Sequence, residues 1–176
     1  MHTFSNNEGI QAKLNAMRNG DKKAFEELYR DLYVPVYTII FRIIWDKMLS
    51  EDILQEVFVK LFLLAKLPTQ NPRAYIFQIA RNLAIDYVRK QSQHISIDDV
   101  SDAVHQSAPD YSTRMDIDNA LKSLQAQECQ IVTLHVIGEL KFREISELMQ
   151  IPLGTVLWKY HRAIDKLQKK LSGGSP

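Results

Sequence analysis

The sequence predicts an all-α protein of two small helical domains, residues 1–91 and 115–176, joined by a flexible acidic linker over residues 92–114. Three observations carry this. Apolar residues recur at spacings of three and four along most of the chain, and strand-like alternation never runs for any length. Charge is unevenly spread: residues 1–91 and 119–176 each carry a net +3, whereas residues 92–118 set one Arg against six Asp, a net −5. That middle stretch also has few large apolar residues, several Ser and Pro109, a composition with little to bury. The overall charge of +1 therefore hides two basic halves and does not argue against nucleic-acid binding.

In chain order, residues 8–19 form a short amphipathic helix with Ile10, Leu14 and Met17 on one face. Gly20 ends it as a C-cap glycine, and Asp21 is a good N-cap for the next helix, whose stripe is Phe25, Leu28, Tyr29 and Leu32. Pro35 predicts a kink or short break. Beyond it, Val36, Ile39, Ile40, Ile43 and Ile44 are apolar on more than one side. Ser50 is expected to open a third helix, with Glu51 and Asp52 near the positive end of its dipole and Ile53, Val57, Leu61 and Leu64 facing inward. Residues 67–72 read as a turn-rich loop. A long helix follows over 73–91. Ile76, Ile79, Ala80, Leu83 and Val88 lie on one side of it, opposite Arg73, Tyr75, Gln78, Arg81, Asn82, Arg89 and Lys90. After the linker, helices are expected at 115–124 and 128–137, with Gly138 punctuating the approach to the last segment.

That last segment, residues 141–171, holds two abutting helical patterns. Phe142, Ile145, Leu148 and Met149 share one face, and the pattern stops at Gln150-Ile151-Pro152. Pro152 has no N–H and suits only the first turn of a new helix. The second pattern runs through Val156, Tyr160, Ala163, Ile164, Leu167 and Leu171, with Lys159, Arg162, Lys166, Lys169 and Lys170 on the other faces. Two short helices, a tight turn and a basic second helix describe a helix-turn-helix, whose second helix can enter a DNA major groove. A plain helical hairpin fits the same spacing.

Several chemistries are disfavoured. A single cysteine, Cys129, allows no internal disulfide and no multi-cysteine metal site, and its apolar neighbours point to a buried structural thiol. His94, His105, His135 and His161 show no regular spacing, so no metal site is expected. No Gly-rich phosphate loop or nucleophile motif appears, and no cofactor, small-molecule substrate or catalytic residue is expected. No signal peptide is recognisable, and the most apolar window, residues 36–45, is interrupted by Arg42 and falls short of the ~20 residues that span a bilayer.

Two further stretches bear on function. Basic residues interleaved with Tyr75, Phe77 and Tyr87 over 71–90 suit a nucleic-acid surface, where cations hold phosphates and aromatics stack on unpaired bases. An ordinary amphipathic helix with core aromatics and solvated charges has the same composition. Over residues 50–62, Asp52, Gln55, Glu56 and Lys60 share a polar face. Asp52 and Glu56 stand four apart, as a metal or acid–base pair would, but no His or second carboxylate cluster accompanies them. A protein-docking face is the better reading.

Taken together, these segments resemble the extracytoplasmic-function (ECF) group of bacterial sigma-70 RNA polymerase sigma factors, across nearly the whole chain. Residues 21–29, DKKAFEELY, resemble that group's opening, and residues 51–58, EDILQEVF, its D-x-x-Q-E-x-F segment. Residues 73–87, RAYIFQIARNLAIDY, are close to A-[WY]-L-x-x-I-A-R-N-x-x-I-D. Glu144-Ile145, then IPLGTV over 151–156 and His161-Arg162-Ala163, resemble the family's helix-turn-helix. The resemblance implies sigma domain 2 in the first half and domain 4 in the second. It implies an alternative sigma factor that binds core RNA polymerase and promoter DNA. Such a factor would stay in the bacterial cytoplasm, held by an anti-sigma factor that sometimes brings it to the membrane. Asp52, Gln55, Glu56 and Phe58 become the set docking on the β′ clamp helices. Asn71, Arg73, Tyr75, Gln78, Arg81 and Asn82 become the surface for an unpaired −10 base, with Arg89 and Lys90 on phosphates. Domain 4 sits on the β flap and reads the −35 element through Leu153, Thr155, Leu157, Trp158, Lys159 and Arg162.

The sequence also departs from the family pattern. Lys141 replaces the usual Ser or Thr N-cap, and Leu157-Trp158 stand where polar residues are usual. Those two side chains can meet thymine methyls or sugar edges but cannot make arginine's bidentate guanine contacts. Other readings of the chain are a stand-alone helix-turn-helix regulator, a degenerate sigma paralogue acting as an interaction protein, and a metal-dependent nuclease using Asp52 and Glu56.

Overall fold

The computed structural model describes residues 7–64, 71–94 and 112–172, and every regular element among these residues is an α-helix. The chain divides into two compact units, residues 1–96 and 97–176. The first contains α1 (Asn7–Arg18), α2 (Lys22–Ile44), α3 (Lys47–Leu63) and α4 (Pro72–His94). The second contains α5 (Ser112–Lys122), α6 (Ala126–Val136), α7 (Phe142–Met149) and α8 (Leu153–Leu171).

In the first unit α2 is the central element and packs against α1, α3 and α4. Its core face meets Ile10 and Leu14 of α1, Leu54 and Leu61 of α3, and Ile76 and Phe77 of α4, all fully buried. Each such side chain contributes about 1.5–3 kcal/mol of burial. The caps expected between α1 and α2 are present: Gly20 has φ +88°, and Asp21 Oδ1 accepts from the Ala24 N–H at 3.2 Å.

Two sequence expectations for this unit are corrected. Of the kink or short break expected at Pro35, the break does not occur: α2 is one helix from Lys22 to Ile44. Pro35 sits buried among Leu32, Val36, Ile39 and Ile40, and the burial of that face offsets the one backbone hydrogen bond the ring removes. The third helix begins before Ser50: Asp46 is the N-cap, accepting from Leu49 N–H at 2.9 Å, and Ser50 lies buried in the first turn with its hydroxyl on the Asp46 carbonyl. Leu64 is already outside the helix, and its carbonyl accepts from Arg18 Nε at 3.2 Å. Residues 67–70 of the expected loop lie outside the described residues. At its end Asn71 caps α4, its Oδ1 accepting from Ala74 N–H at 3.1 Å.

The predicted linker is helical at both described ends. α4 continues to His94, since neither Gly nor Pro follows Gln91 to stop it, and α5 already starts at Ser112. Residues 95–111 lie outside the described residues.

The second unit centres on α8, which packs against α5, α6 and α7. Ala120, Ile131, Leu134, Ile145, Val156 and Ala163 form its interior. Cys129 is buried there as a free thiol. The helix-turn-helix closes tightly. Gln150 takes a left-handed conformation (φ 56°), the Ile151 N–H reaches Ser146 O at 3.2 Å, and Ser146 Oγ donates to Ile151 O at 2.7 Å. Pro152 directly precedes α8. Lys141 supplies no side-chain cap, as its chemistry requires. Instead Glu144 Oε2 accepts from the Lys141 N–H at 2.7 Å, anchoring the first turn from inside the helix.

Candidate nucleic-acid interface

Three helix faces carry the candidate residues. On α3, Asp52, Gln55 and Glu56 are exposed on one stripe, and the same stripe continues into Val59, Phe62 and Leu63, which are 56–73% exposed. The stripe is therefore acidic and amide-rich in its first half and apolar in its second. Glu56 makes an exposed i,i+4 pair with Lys60 at 3.4 Å, which contributes only ~0.5 kcal/mol. Phe58 does not belong to this surface. It is 3% exposed and packs between Phe25 and Tyr29, with ring centroids 6.3 and 4.6 Å away, so it supports α3 from behind. Among the described residues no group of three or more His, Cys, Asp or Glu is placed to hold a metal ion.

α3 is also fixed by Tyr33 of α2, whose hydroxyl donates to Glu51 Oε1 at 2.6 Å. That hydrogen bond, with burial and the Glu51 charge behind it, pushes the Tyr33 hydroxyl up to about 12. Burial, then the charges of Glu51 and Asp46, also raise Tyr37. Both belong to a run of aromatics four residues apart along α2, in which Tyr33 stacks on Tyr37 and Tyr37 on Phe41.

On α4, Tyr75, Gln78, Asn82 and Arg89 fall within about 60° of one another around a helix of 3.6 residues per turn, opposite the buried Ile76, Phe77, Ala80 and Ala84. Asn82, Arg89 and Lys90 are exposed, and Tyr75 and Gln78 are half-buried. Arg89 pairs with Asp86 at 3.0 Å. The other members of the predicted set stand elsewhere. Arg73 is only 9% exposed, on the core side of α4's first turn. Its backbone N–H bonds Asn7 Oδ1 at 3.3 Å. Asn71 is occupied as the helix cap. Arg81 is half-buried off the stripe, and burial lowers its guanidinium below the usual range.

On α8, Leu153, Trp158 and Arg162 are exposed, and Thr155, Leu157 and Lys159 are half-buried. Trp158 and Arg162 share the outward face, and Thr155 and Leu157 flank it on either side. The helix is held at its outer edge by Glu128 of α6, which is fully buried. One Glu128 oxygen lies 3.3 Å from Arg162 Nε, and the other accepts from Lys166 Nζ at 2.8 Å and from the Gln125 N–H at 3.1 Å. Burial opposes ionisation of this carboxyl, but the Lys166 hydrogen bond, the Gln125 N–H and the two cations outweigh it and hold it below the usual carboxylate range. On the opposite edge, His135 stacks on Phe142 at 4.2 Å and meets Tyr160 edge-on at 5.0 Å, tying α6, α7 and α8 together.

Sequence reasoning missed Glu128 and the apolar end of the α3 stripe. The spacing Gln125-x-x-Glu128 signals a capping box, but nothing local announces partners more than 30 residues later. Val59, Phe62 and Leu63 were legible as apolar residues outside the inward set of α3.

Comparison with known proteins bears on both units. Residues 28–94 match the family profile of Sigma-70 region 2, and residues 114–167 match that of Sigma-70 region 4. The ECF RNA polymerase sigma factor SigM of Bacillus subtilis is 30% identical over 113 residues, covering 60% of this chain and 69% of SigM. SigW of the same organism is 26% identical over 182 residues, covering 92% of this chain and 96% of SigW. Among solved structures, the sigma factor RpoE of Bartonella quintana, in complex with the anti-sigma factor NepR, superposes with a TM-score of 0.66 at 18% identity. That match covers 85% of this chain and 99% of RpoE. CnrH in complex with the cytosolic domain of CnrY also gives 0.66, at 17% identity, over 95% and 99% of the two chains. At these identities the two structures speak to the fold.

A helical unit of region 2 type followed by a helix-turn-helix unit of region 4 type defines a transcription initiation factor of the sigma-70 class. Within that class the chain belongs to the ECF group of RNA polymerase sigma factors.

Proposed function

We propose that this sigma factor joins core RNA polymerase through α3 and directs promoter-specific initiation through α4 and α8. The observation that carries the proposal is the opposed chemistry of α3 and α4 on one four-helix unit. α3 presents carboxylates, an amide and apolar side chains. α4 presents an aromatic, amides and cations. The first suits a basic protein surface such as the β′ clamp helices; the second suits a single strand of DNA.

On α3, Asp52, Gln55 and Glu56 make the polar contacts, Val59, Phe62 and Leu63 extend them, and Phe58 holds the helix in place from the core. On α4, Tyr75 offers a face for stacking and Gln78 and Asn82 offer amides to base edges, while Arg89 and Lys90 hold phosphates. Taking a base out of the duplex costs a few kcal/mol. Stacking on an aromatic returns about 1–3 kcal/mol per base, so captured bases stabilise a melted −10 region. Asn71 and Arg73 act one step back, by building the start of α4. Arg81 stands beside the stripe and supports its flank. The second unit sits on the β flap and places α8 in the −35 duplex, with Leu153, Thr155, Lys159 and Arg162 near the groove.

The chain needs no catalytic residue for this, since polymerase supplies the chemistry and the sigma factor supplies binding energy. An anti-sigma factor that covers the α3 stripe would silence it. No described helix is long and apolar enough to cross a membrane, so membrane association would come from that partner.

The test is reconstitution. The purified chain is expected to co-elute with core polymerase and to yield promoter-specific run-off transcripts, and Glu56→Arg to weaken co-elution. A chain that binds duplex promoter DNA unaided but ignores core polymerase would overturn the proposal.

A further inference from the structure

Trp158 is the largest apolar side chain exposed on α8, at 56%, and it stands on the face turned away from the unit's core. Two cations flank it: Arg162 Cζ lies 5.1 Å and Lys159 Nζ 5.8 Å from the ring. Arg162 is engaged from two sides, by the indole and by the buried carboxylate of Glu128 at 3.3 Å. Reading guanine demands that a guanidinium turn its planar fork edge-on to O6 and N7. Turning to a base would cost Arg162 both the indole face and its contact with Glu128, which would keep Lys166 and the Gln125 N–H.

What remains for the groove is an apolar plane with a positive rim. Lys166 and Lys170 are engaged with Glu128 and the Asn119 carbonyl, but Lys159, Arg162 and Lys169 still outnumber Asp165 on α8, which favours a polyanion over a protein as the occupant of this face. In a major groove the apolar feature is the thymine C5-methyl group, and the rim would meet the adjoining phosphates.

We propose that Trp158 determines specificity in the −35 duplex by packing on a thymine methyl, while Arg162 and Lys159 bind backbone rather than bases. This rests on the reading of α8 as the −35 helix. The experiment uses holoenzyme formed from the full chain and core polymerase. A duplex −35 element is first selected from a randomised pool. Each thymine in it is then replaced singly by deoxyuridine, which removes only the methyl.

At one position the wild type should lose about fourfold in affinity, the worth of one buried methyl group. Trp158→Phe should keep most of that discrimination, and Trp158→Ala should bind thymine and uracil alike. Trp158→Arg should shift selection at that position towards guanine. Wild-type indifference to deoxyuridine at every position would overturn the proposal. So would a Trp158→Ala holoenzyme that still discriminates, even one that has lost affinity for a protein partner. Holoenzyme that initiates from −10 sequence with no selected −35 element would remove the reading of α8 itself, and Trp158's role with it.

Discussion

α3 and α8 both turn apolar side chains to solvent, but they arrange the surrounding charge in opposite ways. On α3 the carboxylates and the apolar residues are segregated along the axis, Asp52 and Glu56 first and Val59, Phe62 and Leu63 after, with Lys60 the one cation beside the apolar half. On α8 a single indole is bracketed by cations, one of them pinned by a buried carboxylate. Segregation suits a protein partner, which can bury a continuous apolar patch beside a polar one. Bracketing suits DNA, where phosphates flank every base edge. The difference shows that exposed hydrophobic residues identify no partner by themselves; the charges around them do.

The comparison breaks first at Glu128. Glu128→Ala removes the counterion of Arg162 and Lys166 and the acceptor for the Gln125 N–H. Breaking a wholly buried pair costs about 3–5 kcal/mol, but both cations keep roughly two-fifths of their surface in solvent, so about 1–3 kcal/mol is expected here. Urea denaturation of the full chain should show the loss in the second unit alone. The carboxyl sits below its usual range in the folded chain, so its contribution is present above that range and fades as pH falls through the folded value. Glu128→Gln should flatten that acid slope. An unchanged slope would mean that the cations of α8 are not organised by Glu128.

The second way to break it is at Glu56. Glu56→Arg reverses one charge in the segregated face and should weaken core-polymerase binding about tenfold, read by titration with labelled protein. The change in fold stability should stay below about 0.5 kcal/mol, because the Glu56–Lys60 pair is exposed. A variant that binds polymerase normally would shift the docking role to the apolar half of the stripe.

These two residues also mark what the sequence could and could not disclose. Asp52, Gln55 and Glu56 were legible because a solvated face shows itself in spacing alone, once the inward positions Ile53, Val57 and Leu61 are known. Glu128 was not, because its partners are set by the packing of α8 on α6, and no periodicity encodes a contact between helices. Arg73 and Phe58 were misplaced for a related reason: each stands among surface residues of a motif that also contributes buried ones, such as Ile76 and Val57. A motif specifies residue types in order, and it leaves open which of them support the site from behind. Pro35 and Ser50 misled through local chemistry. A proline is tolerated where its face is deeply buried, and Asp46 offered a better cap than Ser50 one turn earlier. The helix-turn-helix needed only period and turn chemistry, and it carried through to the structure.

The smallest expected effect sharpens how α3 is held. Tyr33 donates to Glu51 and so binds the first turns of α3 to α2. Tyr33→Phe keeps the ring stack on Tyr37 and deletes only that hydrogen bond, which should cost about 1 kcal/mol near neutral pH. The pH dependence separates the hydroxyl from the ring. Folding raises this tyrosine from 10.0 to about 12, so the unfolded chain loses the proton first as pH rises. The stabilisation is therefore complete below pH 10 and declines as pH climbs from 10 through 12. Tyr37 is raised too, and its charge adds to the Tyr33 shift, so the difference between the two proteins reports the Tyr33 hydroxyl together with that coupling. The gap in stability between wild type and Tyr33→Phe should accordingly be constant from pH 7 to 9 and narrow above about pH 10. A gap that stays constant to pH 11 would show that the Tyr33 hydroxyl takes no part in presenting the docking stripe, and that α3 is held by its core packing, with Leu54, Phe58 and Leu61 in it.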